Sequence, residues 1–244
     1  MLSKNQIKLI RSLSQKKYRQ ELGLFTVEGV KGINEFLNSN YVLFSLFSTE
    51  AIFDAILKDY HELTEAELKK ISALKTPNKA LAVFRIPEAT EPPSEGLIVA
   101  LDDVRDPGNL GTIIRLCDWY GVDHIICSEN TVDCYNSKVV QASMGSLTRV
   151  NLHYLPLKSY LESNSLPVFG TYMNGESVYE SALPSEGIIV FGNEANGISG
   201  EFETIVTQKL TIPQFGKQQK TESLNVANAA AILLSEFRRR VIER

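Results

Sequence analysis

The sequence has little of what several common kinds of site require. Among 244 residues there are three cysteines, without CxxC spacing, and three scattered histidines, so neither a disulfide framework nor a zinc site is predicted. No apolar run approaches the ~18–20 residues that cross a bilayer, and the charged N-terminus lacks the apolar stretch of a signal peptide. GxGxxG and P-loop patterns are also missing. These absences favour a cytoplasmic protein with reduced thiols, no membrane span and no bound metal.

Charge is unevenly distributed along the chain. The net charge is −4, but residues 1–31 carry seven basic and two acidic side chains, a local excess of five positive charges. Two interpretations stay open: a contact surface for nucleic-acid phosphates, or an ordinary solvated helix face. The residues concerned are Lys4, Lys8, Arg11, Lys16, Lys17, Arg19 and Lys31, against Glu21 and Glu28.

A proline-rich stretch divides the chain. Residues 87–95, PEATEPPSE, carry no apolar side chain larger than alanine and are typical of a linker. Before it, alternating short strands and helices predict a small α/β domain over residues 1–90, including helices over 3–19 and 51–58. After it, apolar strands alternate with helices over residues 96–244. That alternation predicts a parallel sheet with helices on both faces.

Three polar stretches stand out in the second half. The first, Leu101 to Leu116, reads LDDVRDPGNLGTIIRL, and its Asn109 and Arg115 share a helical face only if the helix begins after Asn109. The second, Val190 to Ser199, reads VFGNEANGIS and follows an apolar strand; its Gly192 is expected to let a ligand lie against the backbone. The third, Ile212 to Phe237, precedes and includes a long terminal helix, for which Ser223 is the predicted N-cap. Each alone also fits an ordinary loop or helix cap.

Together and in this order, the three stretches resemble the signature motifs of the SpoU (TrmH-like) RNA ribose methyltransferases of the SPOUT superfamily. The resemblance implies an α/β fold: a parallel-sheet α/β knot, whose C-terminal chain forms a trefoil knot, preceded by a small α/β substrate-binding domain. The stretch FTVEGVKGINEFL, residues 25–37, resembles such an N-terminal domain. The family further implies S-adenosyl-L-methionine as cofactor, ribosomal or transfer RNA as partner and a homodimer; the separate N-terminal domain favours ribosomal RNA, with transfer RNA as the alternative.

The resemblance also implies roles for individual residues. A guanidinium stays protonated, so Arg115 is expected to orient and stabilise charge rather than to remove a proton. Glu194 is expected to orient its loop. The implied catalytic residues are Asn109, Arg115, Glu194, Ser223 and Asn225. The implied cofactor-binding residues, all near strand ends or the terminal helix, are Thr171, Gly192, Ile212 and Leu224.

Two alternatives remain open at this point. One is a catalytically silent RNA-binding module, such as a ribosome-assembly factor, that keeps the fold without turnover. The other is a methyltransferase that modifies a base nitrogen instead of a ribose hydroxyl. Cofactor binding without transfer would indicate the first, and analysis of the methylated nucleoside would identify the second.

Overall fold

The computed structural model describes residues 2–53, 59–216 and 223–242, and the chain forms two compact units. The first contains Met1–Ala89 together with Asp133–Thr148, and the second contains Thr90–Val132 together with Arg149–Arg244. The segment 133–148 therefore packs with the N-terminal part of the chain, although it lies within the sequence stretch assigned to the C-terminal domain. The predicted domains, 1–90 and 96–244, stay a prediction.

The first unit is a four-stranded sheet with helices. Its strand order is β1-β4-β2-β3, with β1 and β2 antiparallel to β4 and with β3 parallel to β2. The elements are α1 (Lys4–Ser12), α2 (Lys16–Leu22), β1 (Leu24–Glu28), α3 (Val30–Leu37), β2 (Leu43–Ser48), β3 (Tyr60–Glu62), α4 (Glu65–Ile71) and β4 (Ala80–Arg85). From the second half of the chain, the unit also contains the α-helix α6 (Ser137–Ser143) and a short 3-10 helix (Ser146–Thr148).

The segment that contains α6 is fastened to the first unit by aromatic and ionic contacts. The rings of Tyr135 and Phe25 lie 4.6 Å apart. Arg19 is 2% exposed, and its Nε donates to a carboxylate oxygen of Asp133 at 2.9 Å. One Arg19 nitrogen also donates to the carbonyl oxygen of Leu13. Arg19 is thus a buried structural cation and belongs to neither of the two surfaces considered for the basic segment.

The predicted helix over residues 3–19 is in fact two helices. Ser3 caps α1, and the side chains of Ser12 and Ser14 donate back to main-chain carbonyls three residues earlier, at 2.6 and 2.8 Å. Such back-bonding competes with a continued helix. For the other predicted helix, over 51–58, residues 54–58 lie outside the described residues.

The second unit is a six-stranded sheet, all of it parallel, in the order β10-β8-β9-β5-β6-β7. Its strands are β5 (Leu97–Leu101), β6 (His124–Cys127), β7 (Asn151–Tyr154), β8 (Val168–Ser177), β9 (Gly187–Phe191) and β10 (Gln208–Thr211). Its helices are α5 (Pro107–Tyr120), α7 (Leu157–Ser163) and α8 (Val226–Ile242).

Helices cover both faces of this sheet. Val168 shares one apolar cluster with Leu161 of α7, whereas the ring of its neighbour Phe169 packs against that of Phe237 in α8, at 5.2 Å. Successive side chains of a strand point to opposite faces, so α7 and α8 lie on opposite sides. The predicted parallel α/β sheet is confirmed. Among the described residues, no helix combines the length and apolarity needed to cross a membrane.

Candidate active site

The three polar stretches leave the sheet from one edge. Leu101 at the end of β5 pairs with Phe191 at the end of β9, and β9, β8 and β10 are consecutive parallel neighbours. Segments that follow the carboxyl ends of parallel strands emerge together, which is where open α/β sheets bind ligands. Stretches separated by up to about a hundred residues in sequence therefore meet at one site.

Two aspartates that follow β5 fasten the first stretch to the second. The carboxylate of Asp102 is 5% exposed and accepts the N–H of Ser199 at 2.7 Å. Asp103 has φ 58°, and its carbonyl oxygen accepts from Asn193 Nδ2 at 2.8 Å. Sequence reasoning assigned these residues no role. The signal that could have found them is the acidic pair directly after a buried strand.

The start of α5 fixes Asn109. Asp106 caps the helix by accepting the N–H of Asn109 at 2.8 Å, and Pro107 is its first residue. Because the helix begins before Asn109, Arg115 lies about 120° around the helix from it, and the condition for a shared face is not met. Arg115 is exposed and, within the described part of the chain, has no hydrogen-bond or ion-pair partner.

A hydrogen-bonded chain joins three of the predicted catalytic residues. Asn225 Nδ2 donates to Asn109 Oδ1 at 2.9 Å, and Asn109 Nδ2 donates to Glu194 Oε1 at 2.8 Å. The Asn109 amide is therefore used at both ends, as acceptor and as donor. Asn225 Oδ1 accepts the backbone N–H groups of Ala227 and Asn228. The chain ties the starts of α5 and α8 to the loop after β9, in which Glu194 lies.

Asn225, not Ser223, is the N-cap of α8, so the predicted cap was wrong. The helix begins at Val226, and the side chain of Asn225 satisfies the first free N–H groups. Ser223 is exposed and has no hydrogen-bond partner among the described residues. Its hydroxyl is consequently available at the site.

Gly192 is required by its own loop. A Cβ there would lie 2.1 Å from the carbonyl carbon of Gly197 and 2.2 Å from the nitrogen of Ile198. Asn193 and Gly197 exchange two backbone hydrogen bonds, at 2.9 and 2.8 Å, which close the loop. The loop itself fills the space beside Gly192, which is a reason for this glycine in addition to the expected contact of its backbone with a ligand.

A cavity of about 1210 Å³ opens beside the hydrogen-bonded chain. Its walls are the ends of β8, β9 and β10, the loop after β9 and the first turns of α8. Apolar side chains such as Phe191, Leu210 and Leu233 contribute to these walls. Of the predicted site residues, the cavity is lined by Thr171, Gly192, Glu194, Ile212, Ser223 and Leu224.

The strand β8 forms one wall of the cavity where its pairing with β10 is interrupted. β10 pairs Lys209 with Gly170 and then Leu210 with Glu176, so residues 171–175 have no partner in β10. An interruption of this kind redirects side chains, and irregular pairing is common beside binding sites. The excursion brings the predicted cofactor residue of β8 to the cavity.

Aromatic residues that sequence reasoning missed also line the cavity. Phe215 is 84% exposed, an unusual position for a large apolar ring. The ring of Tyr172 lies under the ammonium group of Lys209, at 4.7 Å, and its hydroxyl is buried without a hydrogen-bond partner in the described part of the chain. Burial raises the pKa of the Tyr172 hydroxyl, so the group stays protonated and offers a donor.

Two parts of the chain match known protein families. Residues 96–235 match the SpoU rRNA Methylase family. The chain belongs to this family. Residues 4–82 match the MRM3-like substrate binding domain, so the substrate-binding domain expected before the SpoU region is confirmed.

Individual relatives of this SpoU protein cover nearly its whole length. The 23S rRNA (guanosine(2553)-2′-O)-methyltransferase of Bacillus subtilis (strain 168) is 30% identical over 245 residues, 97% of each chain. A solved structure described as a putative RNA methyltransferase of the TrmH family, from Porphyromonas gingivalis, is 43% identical, with TM-score 0.90 over 98% of this chain and 99% of that one. An AdoMet-bound rRNA methyltransferase from Sinorhizobium meliloti is 29% identical, with TM-score 0.86 over 99% and 97%.

These matches confirm the predicted family and its parallel-sheet architecture. The trefoil knot stays a prediction. The individual roles of the nine predicted site residues stay predictions as well; the structure gathers six of them around the cavity and links three through the Asn225–Asn109–Glu194 chain.

Proposed function

We propose that this SpoU-family protein is an S-adenosyl-L-methionine-dependent methyltransferase that modifies a ribose 2′-hydroxyl, with ribosomal RNA as its substrate. The observation that carries the proposal is the Asn225–Asn109–Glu194 chain at the rim of a nucleoside-sized cavity. It fixes three loops from three strand ends around one reaction centre. Relatives named for rRNA 2′-O-methylation, and one related rRNA methyltransferase solved with AdoMet, support the assignment.

The cavity fits the cofactor chemically. Pockets for small ligands typically occupy ~300–1,000 Å³, and this cavity, at about 1210 Å³, leaves room for a nucleoside-sized ligand and part of a substrate. Apolar side chains and strand-end backbone line it, and Tyr172 contributes to its wall. Thr171, Gly192, Ile212 and Leu224 are the proposed contacts. When bound, S-adenosyl-L-methionine supplies a methyl group already activated by its sulfonium.

The chain's own residues then have to hold and orient the ribose. Transfer to an activated methyl depends chiefly on placing the hydroxyl oxygen in line, so positioning provides most of the rate. We assign Ser223 to the hydroxyl, because it has no hydrogen-bond partner among the described residues, and Asn225 to holding the site, because it is bonded to Asn109. Arg115, permanently charged and without a partner among the described residues, is assigned to a substrate phosphate. Glu194 is assigned to holding the Asn109 amide in place through their hydrogen bond.

Ribosomal RNA is preferred over transfer RNA because the chain carries a dedicated substrate-binding domain in addition to the SpoU region. The basic segment at the start of that domain supports contact with phosphates. Lys4, Lys8 and Arg11 are exposed and unpaired within the described residues. Binding through such residues weakens with salt, because counterions are released from the RNA.

We further propose a homodimer in the cytoplasm. Trp119, one helical turn beyond Arg115 on α5, is 84% exposed, and Trp and Arg are enriched in protein interfaces. The three cysteines are buried and form no disulfide with one another, which suits a reducing compartment. Sedimentation of the wild-type protein and of Trp119→Glu tests the dimer: the variant should sediment as a monomer, and an unchanged dimer would refute this interface.

The function is tested by transferring labelled methyl from S-adenosyl-L-methionine to RNA from cells that lack this protein. Label in a 2′-O-methylnucleoside of ribosomal size is expected. Label in a base would assign another nucleophile, and label in small RNA would assign transfer RNA. Cofactor binding without label, on free RNA and on ribosomal particles, would indicate a silent module. Arg115→Ala should abolish transfer and leave cofactor affinity nearly intact; loss of both would refute its assigned role.

A further inference from the structure

A second cleft lies in the N-terminal unit. Its volume is about 500 Å³, within the range of ligand pockets. It is lined by α1 and by the strands β2, β3 and β4. The residues that carry the following inference are Asn5, Phe44, Phe47, Asp59, His61 and Arg85.

A β-bulge builds the aromatic lining of the cleft. Phe44 and Phe47 are three residues apart, so strict alternation would point their side chains to opposite faces of β2. The pairing of β2 with β4 shifts between Leu43 and Ser45, which leaves Phe44 as an extra residue. Bulges redirect side chains in this way. Both rings therefore line one cleft.

Planar side-chain groups are exposed in this cleft. The imidazole of His61 stacks on the ring of Phe47, with centroids 5.1 Å apart and planes inclined by 20°. His61 is exposed, so the opposite face of its imidazole is accessible. The guanidinium carbon of Arg85 lies 5.2 Å from the centroid of the Phe44 ring, and Arg85 has no ion-pair partner among the described residues. Planar groups of these kinds stack on unpaired nucleobases.

Polar groups in the cleft can read the edge of a base. The amide of Asn5 and the hydroxyl of Ser45 have no hydrogen-bond partner within the described ranges. Asp59 contributes a carboxylate, which repels a phosphate but accepts from the N–H groups of a base. The composition therefore favours a base inside the cleft and the phosphates outside it.

A basic stripe lies beside the cleft. Lys4, Lys8 and Arg11 recur every three or four residues, so they form one exposed stripe along α1. Lys8 is three residues from Asn5 and therefore its neighbour on the helix surface. An RNA strand can thus place a base in the cleft and its phosphates along the stripe.

We infer that this cleft binds one unpaired nucleotide of the RNA substrate, with its base stacked on the exposed imidazole and guanidinium surfaces of the cleft. The inference deepens the proposed function and rests on RNA being the substrate. It assigns the N-terminal unit recognition of single-stranded RNA, such as a loop or bulge, rather than of duplex geometry.

The direct test is photocross-linking of the wild-type protein to a short single-stranded RNA that contains 5-iodouridine. Cross-links in peptides that contain residues 43–47 or 59–63 are expected. Cross-links confined to other parts of the N-terminal unit would overturn the inference. This measurement needs no variant, so it stands even where a substitution disturbs folding.

The second test compares variants by RNA affinity. His61→Ala and Arg85→Met should each weaken binding of the single-stranded RNA about 10-fold or more, the effect of losing one stacking partner. Binding of a duplex of equal length should change little. Lys75→Met is the matched control, since it removes an exposed, unpaired charge of the same unit outside the cleft, and it should change affinity about 2-fold at most.

The outcomes separate this inference from the proposed function. Wild-type methyl transfer to RNA together with unchanged single-strand affinity in both cleft variants would refute the cleft alone. Cleft cross-links without any methyl transfer would refute the enzymatic function and leave the cleft supported. Variants that keep RNA affinity but lose a protein contact in ribosomal particles would assign the cleft to a peptide and overturn the inference.

Discussion

Exchanging donor and acceptor between Asn109 and Glu194 should test the hydrogen-bonded chain directly. In the native protein Asn109 Nδ2 donates to Glu194 Oε1 at 2.8 Å, while Asn109 Oδ1 accepts from Asn225. Asn109→Asp keeps the acceptor for Asn225 but places a carboxylate against a carboxylate. Adding Glu194→Gln supplies a new donor, with the direction of the hydrogen bond reversed. The single variant should be impaired and the double variant restored.

The expected magnitude follows from the exposure of these residues. Asn109 is partly buried and Glu194 is exposed, so the lost hydrogen bond is worth about 1 kcal/mol rather than the larger values of buried charged pairs. Two like charges about 4 Å apart in water add roughly 1 kcal/mol of repulsion. The sum, about 2 kcal/mol, corresponds to a roughly 30-fold loss of kcat/KM if methyl transfer requires the hydrogen-bonded arrangement of Asn225, Asn109 and Glu194.

The assay is the initial rate of methyl transfer to RNA, with hydrogen exchange of residues 192–199 as a structural readout. Asn109→Asp should lower the rate about 30-fold and speed hydrogen exchange of the loop. The double variant Asn109→Asp/Glu194→Gln should regain most of the rate and most of the protection from exchange. Asn109→Ala is the matched control, because it leaves no group for the new donor and should not be rescued. Acidification should also reduce the deficit of the single variant, since a proton shared between two carboxyls restores a donor.

Strictly additive effects would refute this reasoning. If Asn109→Asp and Glu194→Gln each lower the rate and their combination lowers it by the product, the two side chains do not act through one hydrogen bond. Asn109 would then contact the substrate independently. A rescue equal for Asn109→Ala and Asn109→Asp would be equally incompatible with the chain.

Three further predictions concern the loop, the N-terminal unit and pH. Gly192→Ala should abolish cofactor binding by calorimetry and lower the melting temperature, because its Cβ would overlap the backbone of the same loop; unchanged binding would contradict this account. Arg19→Ala should cost about 3 kcal/mol in denaturant unfolding, since it leaves Asp133 and buried carbonyls unpaired; a loss below about 1 kcal/mol would place the pair in solvent. Burial lowers the pKa of His153 below its ordinary value of 6.5, so the unfolded state binds the proton more readily and stability should fall as pH drops below that value. His153→Phe should remove this dependence and His61→Gln, at an exposed site, should not.

The sheet could be predicted from the sequence because its signals are local. The strand Leu97–Leu101 is a run of five buried apolar residues, and Asp106-Pro107 is a strong helix start. A strand buried on both faces and a capped helix need no information from distant parts of the chain.

What could not be predicted depends on long-range partners. Ser223 and Asn225 are both suitable N-cap residues by type. What distinguishes Asn225 in the structure is its hydrogen bond to Asn109, which is 116 residues away. Arg19 was grouped with surface cations because arginine is mostly exposed, yet its partner Asp133 lies 114 residues further along. Neither pairing can be recognised from a local window of sequence.

The division of labour among the five predicted catalytic residues follows from their partners. Asn109, Glu194 and Asn225 have satisfied one another, and Asn225 additionally caps α8, so these side chains are committed to holding the site together. Ser223 and Arg115 are exposed and, within the described residues, have no partner. An exposed group without a protein partner gives up only water when it binds a substrate, whereas a group bonded to the protein disturbs that bond as well. We therefore propose that Ser223 receives the ribose hydroxyl and Arg115 its phosphate, and that the amide chain keeps their surroundings fixed.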